Sequence, residues 1–183
     1  MAQAQDDPEL LSRLRDKEAR HGAFTDMVEA YGKRLYMHIR RMLVTHEDTE
    51  DVLQETLVSA YRGLDGMRGD SCLYTWLYTI ATNECMKWFR RNRNAASTHE
   101  EFTEIMVRKL TCEQEESEDE MLVRFKAAIM RLPEKQQAVF NMRYYDELSY
   151  TDIASITGQS VGTLKVNYHY AVKRIKEELS IDP

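Results

Sequence analysis

The sequence predicts an all-α protein: two small helical domains joined by an acidic linker, the second containing a helix-turn-helix. Three observations predict it. Apolar residues recur at spacings of three and four along most of the chain, and alternating strand-like runs are hard to find. Gly 7 and Pro 3 are few in 183 residues, so helix breakers are sparse. The acidity is concentrated in one stretch. From Ala95 to Glu120 nine carboxylates face only Arg108 and Lys109, a net −7, whereas the whole chain is −6 and the remainder therefore +1. The flanking segments can carry basic faces despite the overall charge. This length suits one or two domains.

Met1 to about Pro8 is polar and is read as a disordered terminus. Asp7-Pro8-Glu9 starts a short helix with Leu10, Leu11 and Leu14 on one side. From Phe24 a longer helix keeps Met27, Val28, Tyr31, Leu35, Ile39, Met42 and Leu43 at helical spacing. Lys33, Arg34, Arg40 and Arg41 on that helix are expected on a solvated face. Thr45 or Asp48 restarts the chain as an acidic helix. There Leu53, Leu57, Ala60, Tyr61 and Leu64 share one face, and Asp51, Gln54, Glu55, Val58 and Arg62 the other.

Gly66 and Gly69 end that helix, and Asp70 or Ser71 can cap the next. In it Leu73, Trp76, Leu77, Ile80, Ala81 and Trp88 form an apolar face beside a mostly polar stripe of Thr75, Thr79, Asn83, Met86 and Arg90. Its end carries Lys87, Arg90, Arg91 and Arg93. Cations there complement the helix dipole, and following aromatics they also suit a nucleic-acid backbone. Residues 9–94 are thus read as one helical domain.

Residues 95–120 lack sustained apolar periodicity and are read as a solvated linker, with Phe102, Ile105, Met106 and Leu110 spaced for a short helix inside it. The second domain, 121–183, opens with Leu122, Phe125, Ile129 and Leu132 along one helix, closed by Pro133. Val139, Met142 and Arg143 lie on the next helix, with Phe140 and Tyr144 offset by one residue. Ser149-Tyr150-Thr151-Asp152 has capping-box spacing, Gly158 makes a turn, and Ser160 caps a last helix running to about Leu179. Tyr150 to His169 matches a helix-turn-helix, with Ile153, Val161 and Leu164 as its small core.

Two stretches together carry a family resemblance. Asp51-Val52-Leu53-Gln54-Glu55-Thr56-Leu57, followed after the glycine turn by Tyr74-Thr75-Trp76-Leu77-Tyr78-Thr79-Ile80-Ala81-Thr82-Asn83, closely resembles region 2 of bacterial RNA polymerase sigma factors of the extracytoplasmic-function (ECF) group. Leu132-Pro133-Glu134 and Gly162-Thr163-Leu164-Lys165 around the helix-turn-helix resemble region 4.

The resemblance implies a protein that binds core RNA polymerase, directs it to promoter DNA and helps open the duplex. Asp51, Gln54, Glu55 and Val58 would dock on the polymerase; carboxylates suit cationic partners, and Val58 adds apolar area to a polar stripe. Met67, Arg68, Tyr74, Trp76, Asn83, Lys87, Arg90 and Arg91 would meet the minus-ten element, where an unstacked base can be sorted by shape and edge. For Trp76 a core role is the better reading, since it falls beside Leu73, Leu77 and Ile80. Met67 stands where the family commonly has Phe, so the preferred base differs.

Ser160, Gly162, Thr163, Lys165, Val166, Asn167, His169, Lys173 and Arg174 would read or hold the minus-thirty-five element from a helix in the major groove. The family often has Ser-Arg after the lysine, where this chain has Val166-Asn167, so the promoter sequence is not transferable from relatives. The linker would thread the polymerase cleft. An anti-sigma factor covering the docking face is the expected regulator.

No enzyme is expected, since no paired carboxylates, nucleophile–base pair or metal cluster stands out, and no cofactor or metal is expected either. Cys72, Cys85 and Cys112 form no C-x-x-C pair. With no long apolar run and no signal peptide, no membrane insertion and a cytoplasmic location are expected. The alternative is a sigma mimic that sequesters a regulator without reading DNA. Such a protein would have little need for Asn83, the Lys87–Arg93 cluster or a small, polar start to the last helix.

Overall fold

The structure, a computed structural model, describes residues 8–67, 72–93, 98–112 and 119–180. Among these the regular elements are all helical: α1 (Pro8–Arg15), α2 (Arg20–Leu43), α3 (His46–Gly63), α4 (Leu73–Arg93), α5 (His99–Cys112), α6 (Glu120–Met130), α7 (Glu134–Tyr144), α8 (Tyr150–Thr157) and α9 (Val161–Ser180). A 3-10 turn at Leu64–Gly66 follows α3.

Local chemistry sets the helix ends. The Thr45 hydroxyl accepts the Asp48 N–H as N-cap of α3, and Asp119 does the same for the Met121 N–H at α6. At α8 the capping box is complete: Ser149 takes the Asp152 N–H, and the Asp152 carboxylate takes the Ser149 N–H. Gly158 ends α8 at φ 69°, where a side chain would be strained. Ser160 Oγ accepts the Thr163 N–H at 3.1 Å and opens α9. Pro133 is the N-cap of α7, one residue outside the expected first turn. Asp70 and Ser71, the candidate caps of α4, lie outside the described residues.

The first unit packs α1 to α4 around Leu14, Met27, Leu35, Ile39, Met42, Leu43, Leu73 and Leu77, all essentially inaccessible. The second packs α6, α7 and α9 around Ala128, Ile129, Leu132, Phe140, Ala171 and Ile175. Several sequence expectations change here. The buried face of α3 is Thr49, Val52, Thr56 and Ala60, while Leu53 and Leu57 sit at its border and Tyr61 is exposed, edge-on to Phe24. Thr49 and Thr56 can be buried because each hydroxyl donates to the carbonyl four residues back. Leu122 is exposed. In the helix-turn-helix Ile156 fills the core place expected for Val161.

The linker segment contains a full helix, α5. Phe102 and Met106 are buried against the end of α4, with the Phe102 ring 6.3 Å from Trp88 and 6.2 Å from Phe89. The acidic run at 113–118 lies outside the described residues.

The two units pack directly on each other. α8 lies on α4 and α7 on the C-terminal part of α2, and the first apolar core continues into Val139, Met142, Leu148, Ile153 and Ile156. This second cover explains why α4 is buried on two sides, including Tyr74, Thr75, Tyr78 and Thr82, when its periodicity marked only one.

Candidate functional site

Three surfaces carry the residues singled out by the sequence. On α3, Asp51, Gln54 and Val58 are exposed and Glu55 is partly so, along one helical stripe. Val58 is 42% exposed, an apolar group among polar neighbours. Glu55 accepts two bonds from Arg91 on α4, at 3.2 and 3.1 Å, so the α3 stripe and the basic end of α4 are joined through one bidentate pair.

On α4 the expected set divides. Trp76, Asn83, Lys87 and Arg90 follow each other at spacings of seven, four and three, and Ile80 completes the row. Asn83, Lys87 and Arg90 are exposed, and Trp76 and Ile80 partly so. The row thus runs from an indole through an amide to cations, as a groove for single-stranded nucleic acid requires. Trp76 is held by packing on Gly63, where an added Cβ would come within 3.1 Å of the indole. Lys87 reaches Glu84 at 2.8 Å, and the same carboxylate oxygen takes the Ser59 hydroxyl, which explains why Glu84 is tolerated almost fully buried. Met67 is partly buried on the core, and Arg68 lies outside the described residues.

Tyr74 does not join the row. It is 8% exposed, its ring tilted by 40° against Tyr78 at 4.2 Å, with Arg34 4.7 Å above its ring. Burial pushes its phenol up to about 12. Among the charges that act on it are Asp146 and Asp152 of the second unit. Of the cations expected on a solvated face, Lys33 and Arg34 are exposed, Arg34 with its guanidinium over the Tyr74 ring, whereas Arg41 is partly buried and engaged across the contact between the units.

On α9, Ser160, Gly162, Thr163, Lys165, Val166, His169, Lys173 and Arg174 are exposed, and Asn167 is partly buried, donating to Gln159 at 3.1 Å. Val166 is 53% exposed on this otherwise polar face. The helix start is fixed from below by Leu164 in the core and from the side by the Ser160 cap, while the outer face is left open. Among the described residues no group of three His, Cys, Asp or Glu is placed to hold a metal ion.

Sequence reasoning missed His38, Gln137, Asn141 and Asp146, which meet between the units. One signal was present: His38 shares the heptad register of Tyr31 and the core side of α2 with Leu35 and Met42, and a polar residue there needs a partner.

Among the described residues the fold is all-α, with a helix-turn-helix whose second helix is exposed and a separate aromatic-to-basic row on α4, features of a DNA-binding protein. Comparison with known proteins narrows the class. Sigma-70 region 2 matches residues 27–95, and Sigma-70, region 4 matches 122–175. The ECF RNA polymerase sigma-E factor of Escherichia coli K12 is 34% identical, covering 78% of this chain and 79% of its own. The ECF RNA polymerase sigma factor SigW of Bacillus subtilis is 28% identical, over 93% and 98% of the two chains. In fold the chain resembles the sigma factor RpoE, solved with the anti-sigma factor NepR from Bartonella quintana, at a TM-score of 0.67 and 24% identity over 87% and 98% of the chains. The chain belongs to the sigma-70 family, as a sigma factor of the extracytoplasmic-function group.

Proposed function

We propose that this sigma factor divides its work among the three surfaces: α3 docks on core RNA polymerase, the α4 row takes the opened minus-ten strand, and the start of α9 reads the minus-thirty-five element. The observation that carries this is the α4 row. Trp76, Ile80, Asn83, Lys87 and Arg90 present stacking area, an edge-reading amide and phosphate-binding cations on one exposed stripe, beside the α3 stripe that would anchor it to the enzyme. Asp51, Gln54, Glu55 and Val58 supply carboxylates for cationic partners and a central apolar contact. On α9, Ser160, Gly162, Thr163, Lys165, Val166 and Asn167 lie at the end that enters the groove, with His169, Lys173 and Arg174 further along for the backbone. Tyr74 belongs to the minus-ten set only in a form in which it is uncovered.

Region 2 is assigned to residues 9–94 and region 4 to 121–183, with 95–120 as the connection that threads the polymerase. An anti-sigma factor covering the α3 stripe is the expected regulator. The protein acts in initiation without catalysing a reaction of its own, and the cytoplasm, where polymerase works, is its proposed location. No described helix is long and apolar enough to cross a membrane.

The test is in vitro transcription with cognate core polymerase on fragmented genomic DNA, followed by sequencing of the transcript starts. Discrete starts sharing two upstream elements are expected. Core binding without specific starts would overturn the DNA-reading assignment in favour of a mimic. Failure to bind core would overturn the α3 assignment.

A further inference from the structure

The contact between the two units contains a buried ionic cluster. Asp146, in the turn between α7 and α8, is the second unit's contribution to it. Arg41 donates to its Oδ1 at 2.6 Å, and His38 Nδ1 lies 2.9 Å from its Oδ2. The other ring nitrogen of His38 is 3.2 Å from the Thr82 hydroxyl on α4. The side chains of His38 and Asp146 are 1% and 5% exposed, and that of Arg41 25%. Arg41 also covers the ring of Tyr145 at 4.6 Å, and Tyr78 lies 4.7 Å from the His38 ring.

The turn is built to present this carboxylate. The Asp146 N–H bonds the Asn141 carbonyl, Arg143 holds the Leu148 carbonyl at 2.9 Å, and Glu147 sits at φ 55°. Asn141 adds a bond to the Arg41 carbonyl at 3.2 Å.

Around the cluster the fit is incomplete. A cavity of 330 Å³ lies between the units, lined by Met37, Arg41, Ile129, Met130, Asn141 and Tyr145 among others. The Asn141 Oδ1 is buried without a partner. An interface edged by an open cleft and holding an orphan acceptor is less completely paired than a domain core and suits reversible separation.

This closed form conflicts with the proposed function, on which the present inference rests. Twenty-five base steps between the two elements span roughly 85 Å at about 3.4 Å each. A compact chain of this length has a radius of gyration of about 16 Å, hence a width of roughly 40 Å. Closed, the protein cannot reach both elements, and α8 lies over the side of α4 that buries Tyr74.

We propose that Asp146, seated on His38 and Arg41, is an intramolecular latch that holds the sigma factor closed and inactive until the two units part. The carboxylate suits a latch because its side-chain partners His38 and Arg41 both belong to the first unit, and separation returns all three groups to water. Removing Asp146 leaves the largely buried Arg41 cation unpaired, and His38 without its partner, in the closed form only, so the open population rises about a hundredfold.

The experiment compares full-length wild type, Asp146→Ala, Asp146→Lys and the swap Asp146→Lys with Arg41→Glu. Small-angle scattering and fluorescence transfer between dyes on α1 and α9 report the separation, and circular dichroism checks that helix content is kept. Expected results are a compact wild type, expansion in both single variants with unchanged helicity, and recovery of compactness in the swap. With core polymerase, the single variants should reach half-maximal transcription at lower sigma concentration. A wild type already extended, or single variants as compact as wild type, would overturn the latch. Expansion with no change in the transcription curve would overturn its inhibitory role. If no variant supports promoter-specific starts, the functional reading fails while the scattering result still judges the latch.

Discussion

At the scale of single residues, burial decides chemistry that the residue type alone leaves open. Tyr74 and Tyr78 are both held protonated by desolvation, Tyr74 up to about 12 and Tyr78 higher still. A phenol whose folded value lies above its unfolded value of 10 contributes stability that is complete below pH 10 and falls as pH rises through the folded value. The contact should therefore loosen between about pH 10 and 12. Ultraviolet titration should show a late-ionising group that includes Tyr74 and Tyr78, with Tyr145 and Tyr168 also held back by burial, together with a loss of compactness. Ten tyrosines titrating as one set near pH 10, with no structural change, would contradict it. Glu55 and Arg91 illustrate the opposite case, a bidentate pair in water. Their side chains are 42% and 57% exposed, so Glu55→Ala should alter stability by less than about 1 kcal/mol. It should nevertheless weaken core binding measurably, and a pull-down titration beside a thermal melt separates the two effects. The α3 stripe itself was legible from charge and spacing; its link to Arg91 was not, because the two are 36 residues apart.

At the scale of elements, helices follow the sequence signals closely, and their partners do not. The caps at Thr45, Ser149 and Gly158 are local rules acting within four residues, so the sequence displays them. Ser149→Ala removes the hydroxyl half of the α8 box and leaves the backbone N–H to Asp152 carboxylate half, and should cost about 1 kcal/mol, seen as a lower melting temperature with the same helix content. α5 shows where locality ends. Its composition suggests a solvated linker, but Phe102 finds Trp88 and Phe89. Phe102→Ala should destabilise by about 3–5 kcal/mol in chemical denaturation, whereas a true linker residue would cost almost nothing. On α9 the outer face should behave as a reader. Lys173→Ala should weaken binding evenly across promoters and lower the salt dependence by about one counterion. Val166→Ser should change which minus-thirty-five sequences are preferred, and competitive binding with randomised sites distinguishes the two patterns.

At the scale of the molecule, the decisive feature is that the units share a surface. α4 is the hinge of the whole arrangement: one side completes the first core, a second meets α8, and the row from Trp76 to Arg90 stays open. Burial on two sides is why a helix with Thr75, Thr82 and Glu84 at inaccessible positions remains stable, since each finds a bond from a neighbour or from its own backbone or packs within a closed contact. The two-domain organisation implied by the charge distribution is compatible with this closed packing, because a short connection permits both contact and separation. The part of α2 with His38 and Arg41 acquires its partner Asp146 only at this scale.

The sequence by itself determined the all-α class, the order of the main helices, the caps at Thr45, Ser149 and Gly158, the helix-turn-helix and the exposed polar stripes on α3 and α9. Those depend on hydrogen bonds and spacings within one or two turns, which residue order encodes directly. Only the tertiary structure decided that α5 joins the first core, that Tyr74 lies covered while Trp76 is half-covered and Asn83 exposed, and that Asp146 meets His38 108 residues away. Such contacts bring together groups whose spacing in the chain carries no period, so their selection rests on which faces remain apolar or unpaired after each helix has folded.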